Sequence, residues 1–135
     1  MTIKRIQPDG LFQRLLKGHT LYSHLVIASG QSLVFIAGQL ARDSEGRVVG
    51  KGDMAAQIRQ VGENLRIALA AAGCGLKDIV KTTTYVTDIE EFFKHPEVRN
   101  EIFGQALPTS TTVEVRRLSH PDLMVEVEAM AVMDR

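Results

Sequence analysis

The chain has 135 residues, with 16 Lys+Arg against 16 Asp+Glu, 44% hydrophobic residues and a single cysteine. That length reads as one domain, 1–135, large enough to bury a core without disulfides or a structural metal. Zero net charge argues against a general nucleic-acid binder, the hydrophobic content excludes bulk disorder, and Cys74 alone can form neither an internal disulfide nor a multi-thiolate zinc site. No run approaches the roughly 18 apolar residues of a membrane span, and the first residues lack the apolar stretch of an export signal, so a cytoplasmic setting away from membranes is expected.

Residues 8–20 read as an irregular lead-in punctuated by Pro8, Gly10 and Gly18. Two apolar, β-branched runs follow, Leu21–Ala28 and Leu33–Leu40, and the Ser29-Gly30-Gln31-Ser32 link between them predicts a hairpin. A second turn falls at Asp43-Ser44-Glu45-Gly46. From Met54 the period becomes helical: Met54, Ile58, Val61, Leu65, Ala68 and Ala72 share a face, with Asp53 as N-cap and Gly73 as the stop. Asp78–Asp88 alternates as a strand. Pro96–Phe103 predicts a second helix with Val98, Ile102 and Phe103 inward, and strands follow at about 110–117 and 123–132 around a turn at 119–122. This order predicts an α+β fold with helices on one face of a mixed sheet. The other face stays partly apolar, and a symmetric homo-oligomer is the simplest cover for it.

Glu126 and Glu128 are the sharpest local feature. Two residues apart in an otherwise apolar strand, they point to one face. If that face is buried, crowding and loss of water favour a protonated carboxyl, as general acid–base work at neutral pH requires; otherwise they form a solvated or ion-paired polar edge. Glu114 is a candidate third carboxylate or a partner for Arg116 or Arg117. Tyr22 offers a hydroxyl to a ligand and His24 a base, or both are plain amphipathic strand residues. The run Pro108-Thr109-Ser110-Thr111-Thr112 presents hydroxyls to an anion or carbonyl, or simply starts a strand. Ala37-Gly38-Gln39 ends a strand where a glycine permits close backbone approach. His19, His24, His95 and His120 lack the helical spacing of a metal pair, so no metal site is expected.

Taken together and in order, Tyr22-Ser23-His24, Phe35-Ile36-Ala37-Gly38-Gln39, Asp78-Ile79-Val80-Lys81-Thr82-Thr83, Val113-Glu114-Val115 and Glu126-Val127-Glu128-Ala129 resemble the YjgF/RidA (reactive intermediate deaminase) family over about residues 20–133. The resemblance implies a chorismate-mutase-like fold and a homotrimer with ligand clefts between subunits. It also implies cofactor-free hydrolysis of short-lived enamines or imines to a 2-keto acid and ammonia. Carried over, Glu126 matches the glutamate that activates water, Tyr22 the cleft tyrosine and Gly38 the cleft-wall glycine. The family's carboxylate-binding arginine is Ser110 here, the cysteine two residues on is Thr112, and the serine before the Gly-Gln pair is Ala37. A hydroxyl cannot replace the charge of a bidentate arginine. Ser110, Thr111 and Thr112 therefore form a hydroxyl-rich mouth, with Arg99, Arg116 or Arg117 as alternative cations. The implied alternative to an enzyme is a trimer that binds a small metabolite in a regulatory role without converting it.

Overall fold

The computed structural model describes residues 1–135. Six strands and three helices occur in the order β1 (Thr2–Ile6), β2 (Leu25–Ser29), β3 (Ser32–Leu40), α1 (Met54–Ala72), β4 (Ile79–Val86), α2 (Ile89–Phe92), α3 (Pro96–Phe103), β5 (Thr109–Glu114) and β6 (Val125–Met133). The main sheet runs β3-β6-β4-β5, with β4 and β5 parallel and the other pairs antiparallel. Parallel neighbours need a long crossover, which α2 and α3 supply between β4 and β5. The α1 connection does the same between β3 and β4, with β6 inserted between them. Both long helices thus lie on one face of a mixed sheet, the α+β arrangement expected.

Helix α1 forms where its period and caps dictate. Asp53 Oδ1 accepts from the Ala56 N–H at 3.0 Å, and Gly73 takes the left-handed conformation at φ 90°. Its apolar stripe of Ile58, Val61, Leu65 and Leu69 packs on Val125, Val127, Ala129 and Ala131 of β6. Gly62 lets α3 approach, because a Cβ there would meet Ile102 at 2.6 Å. Gln57 is fully buried yet satisfied. Its Nε2 donates to the Gly50 and Asp122 carbonyls at 3.1 and 2.8 Å, and its Oε1 accepts from the Met124 N–H at 2.8 Å. It ties the first turns of α1 to the entry of β6.

Two expectations are corrected. Leu21–Ala28 and Leu33–Leu40 do not form a hairpin. β2 pairs with the N-terminal strand β1, which sequence reasoning did not identify, and β3 pairs with β6. Residues 21–24 are not strand; Ser23 is tied to the chain before β5, its N–H donating to the Pro108 carbonyl at 3.0 Å and its hydroxyl to Leu107 at 2.6 Å. The last two strands, although joined by the 119–122 turn, are not neighbours, since β4 lies between them. Within β4, Ile79 does not share the face of Lys81, Thr83 and Tyr85. A register shift between Ile79 and Lys81 turns Ile79 into the core.

The helix-free face is built from alternate residues: Leu33, Phe35 and Ala37 of β3, Glu126, Glu128 and Met130 of β6, Lys81, Thr83 and Tyr85 of β4, and Thr111 and Val113 of β5. Leu33 and Phe35 are 59% and 70% exposed. This is the leftover apolar face that the pattern of strands implied. No helix is long and apolar enough to cross a membrane.

Candidate functional site

The structure divides the expected site residues between two places. The first is a cleft of about 400 Å³ at the β5 edge of the sheet, walled by Phe12, Arg14, Tyr22, Phe93, Ser110 and Thr112, with Arg99, Leu16, His19 and Leu21 completing it. Alternation along β5 sends Ser110 and Thr112 to the helix side, into this cleft, and Thr111 to the opposite, open face. Thr109 is spoken for: its hydroxyl donates to the Val80 carbonyl at 3.1 Å. The turn that delivers β5 holds Leu107 at φ 42°, a left-handed conformation that a γ-branched residue adopts only under constraint. The bonds from Ser23 to Leu107 and from the Arg5 guanidinium to the Ala106 carbonyl supply that constraint.

Tyr22 contributes its ring and a hydroxyl that organises the cleft wall. The hydroxyl accepts from the Arg14 N–H at 2.9 Å and donates to the Phe12 carbonyl at 3.3 Å. His24, a candidate base by sequence, donates from Nε2 to that same carbonyl at 2.8 Å and stacks edge-on against Tyr22 at 5.1 Å. Both residues fix residues 12–14 as one wall.

The cleft also holds a residue that sequence reasoning named only as one of three alternatives. Arg99, from α3, lies over the Phe92 ring at 4.5 Å and reaches Phe93 at 5.8 Å. It makes no salt bridge, and its Nη1 is the one buried side-chain nitrogen or oxygen in the chain without a hydrogen-bond partner. Burial, reinforced by the positive charge of Arg14, pushes its pKa down to about 10. Arg14 stacks on Phe93 at 4.1 Å and is equally without an acidic partner. Arg116 and Arg117 do not line the cleft; the Arg117 Nε donates to the Leu118 carbonyl at 3.1 Å. The signal for Arg99 was its helical position, between the inward Val98 and Ile102 and four residues before Phe103.

The second place is the open face of the sheet. Glu126 and Glu128 share it, as the alternation along β6 predicted, but their surroundings differ. The Tyr85 hydroxyl donates to Glu128 Oε1 at 2.7 Å. That bond, together with desolvation and the negative charges of Glu128 and Glu126, pushes the Tyr85 hydroxyl pKa up. Tyr85 is a residue sequence reasoning missed. Glu126 accepts no hydrogen bond from the protein and lies against Gly38. The β3–β6 register shifts between Ile36 and Gln39, so Ala37 and Gly38 together oppose Glu128, and a Cβ on Gly38 would overlap the Glu126 carboxylate. Ala37 lines a shallow groove with Phe35, Lys81, Thr83, Glu128 and Met130.

One chain therefore brings Tyr22, Ser110 and Thr112 together, and separately brings Glu126, Ala37 and Gly38 together, with Thr111 on the open face. A third group, Asp88, Glu90 and Glu114, gathers three exposed carboxylates. Two of them serve the start of α2: Asp88 accepts from the Glu91 N–H at 3.0 Å and Glu114 from the Ile89 N–H at 3.1 Å.

Comparison with known proteins places this geometry in context. A family model described as endoribonuclease L-PSP matches residues 13–133. A RutC family protein from Pyrococcus horikoshii is 42% identical over 110 residues, 82% of this chain and 85% of its own. A 2-iminobutanoate/2-iminopropanoate deaminase from Salmonella typhimurium is 36% identical over 104 residues, 75% of this chain and 80% of its own. Among solved structures, a Rid-family protein of unknown function from Yersinia pestis superimposes with a TM-score of 0.84 at 29% identity, covering 98% of this chain and 99% of that one.

Proposed function

Because the chain belongs to the YjgF/RidA family, we propose that it is a cofactor-free deaminase. Its substrate is a small enamine or imine, hydrolysed in clefts formed between copies of the chain, most simply a homotrimer in the cytoplasm. The observation that carries this reading is the state of the two open-face glutamates. Glu128 is held by Tyr85, whereas Glu126 is left without a partner on a face whose Leu33 and Phe35 need covering. A second copy on that face buries the apolar surface and can bring its own Tyr22–Ser110–Thr112 wall to Glu126. The deaminase from Salmonella typhimurium, similar over three-quarters of this chain, supports the reaction class.

In this reading an enamine first takes a proton at carbon to give the imine. Glu126 accepts a proton from water as the water oxygen bonds to the imine carbon, and passes it to nitrogen. The C–N bond then breaks as the hydroxyl proton passes through Glu126 to the departing nitrogen, releasing ammonia and leaving the carbonyl. Water is the only co-reactant. Tyr22, Ser110, Thr111 and Thr112 orient the ligand, and the bulge at Ala37 and Gly38 lets it approach the backbone closely. Balanced charge favours a small metabolite over RNA.

The test is ammonia release from freshly generated 2-aminoacrylate by the intact protein. The wild type should exceed E126Q by about 10²-fold or more; equal rates would reject this substrate and this role. A second reading is favoured by Ser110 and Thr112, which put hydroxyls where the family's β5 cation and thiol would be: a trimer that binds a metabolite for a regulatory purpose. Recovery of a tightly bound ligand unchanged would select it.

A further inference from the structure

The cleft at the β5 edge carries two positive side chains that nothing in the protein neutralises. Arg14 and Arg99 are each stacked on an aromatic ring, at 4.1 Å over Phe93 and 4.5 Å over Phe92. Apart from the cleft pair and Arg116, the arginines of the chain have acceptors: Arg47 pairs with Asp43 and Glu45, Arg66 with Glu63, and Arg5 and Arg135 donate to backbone carbonyls. No carboxylate lines the cleft, and its remaining polar groups are His19, Tyr22, Ser110 and Thr112. Stacking fixes both guanidinium planes in advance, so little side-chain freedom is lost when an anion arrives. Two like charges in one hollow repel each other, and a ligand that brings compensating charge to both relieves that repulsion.

We propose that this cleft selects a small ligand bearing two separated negative groups, Arg99 taking one at the inner wall and Arg14 the other at the mouth. Ser110 and Thr112 donate their hydroxyls to the group that Arg99 holds. The arginine missing from β5 is thus replaced from α3, by a side chain that enters from another direction, and Arg14 adds a second anchoring point. A ligand with one carboxylate leaves one cation unpaired; a dicarboxylate leaves none. The proposal rests on the reading of this cleft as the ligand site, but it is tested by binding alone, so its failure and the failure of deamination are told apart.

The experiment is calorimetry at low salt on the intact protein in its native assembly, with propanoate, succinate and inorganic phosphate as probes. Succinate should bind at least tenfold more tightly than propanoate, and more tightly than phosphate, which carries its charge on a single centre. R14Q should abolish the preference for succinate while leaving propanoate binding within about threefold. R99Q should weaken both carboxylates at least tenfold, and R99K, which keeps the charge but not the planar stack, should recover part of that loss. Equal affinity for propanoate and succinate, a succinate preference that survives R14Q, or phosphate binding more tightly than succinate would each overturn the two-point arrangement. No ammonia release alongside the expected binding pattern would reject the deaminase reading alone.

Discussion

Replacing Arg99 with methionine removes a charge that the fold holds at a cost. Burial lowers the guanidinium pKa from the ordinary arginine range to about 10, which converts to roughly 3 kcal/mol spent on keeping the cation in place. The stack over Phe92 at 4.5 Å returns about 1–2 kcal/mol of that. Methionine keeps most of the apolar contact, so R99M should be more stable than the wild type by about 1–2 kcal/mol, a rise in Tm of roughly 3–8 °C for a domain of this length. The sign follows from the direction of the shift. A cation whose folded pKa is lowered destabilises the fold wherever it is charged, so the gain is full below about pH 10 and shrinks as pH rises through that value. Calorimetric melting of both proteins in the same oligomeric state at pH 7.5 and again near pH 10.5, buffer conditions of roughly full and partial charge, reads both effects. The same variant should lose carboxylate binding, the trade of stability for function expected at a binding site. R99M melting below the wild type, with carboxylate binding intact, would refute the view that Arg99 is a strained, ligand-facing cation.

Other perturbations follow from the same geometry. G38A should leave stability within about 1 kcal/mol, because the clash is with the movable end of Glu126, but it displaces that carboxylate and should lower deaminase turnover about tenfold or more. Q57A should cost about 2–4 kcal/mol in urea denaturation, since three buried hydrogen bonds at 2.8–3.1 Å are lost together. Of the two tyrosines in the chain, Tyr85 should ionise above the ordinary tyrosine range, held protonated by Glu128; an ultraviolet titration should show that late phase, and Y85F should remove it.

How far the sequence foretells this structure depends on whether the deciding contacts are local. Helix α1 was legible to the residue because Asp53 and Gly73 cap it from adjacent positions and its stripe repeats within one element. The common face of Glu126 and Glu128 was legible because alternation is a property of one strand. The partnerships of strands were not. Ser29–Ser32 carries sound turn chemistry, yet β2 is taken by β1, whose Thr2–Ile6 run has no strong alternation of its own. Likewise β4 separates β5 from β6, a long-range pairing that neither strand encodes. In the candidate site, the family likeness singled out Glu126, Tyr22 and Gly38 as expectations. It could not say that Tyr85 occupies Glu128 and leaves Glu126 free, because that depends on a cross-strand hydrogen bond. Arg99 could be named only beside Arg116 and Arg117, because a charged residue on a short helix reads as solvent-facing. Only the ring of Phe92 and the empty acceptor position around Nη1 make it a cleft residue.

The central claim is that the functional site is split across the chain and completed by another copy. Light scattering near three times 14.9 kDa is a necessary condition, but subunit mixing tests the claim itself. E126Q removes the acid–base group, and S110F fills the cleft; each alone should be inactive in ammonia release. Unfolded together at equal amounts and refolded as mixed oligomers, they should recover about a quarter of wild-type activity, since half the clefts are open and half of those face an intact Glu126. Mixed oligomers, verified by mass, that stay as inactive as either parent would contradict a site shared between subunits.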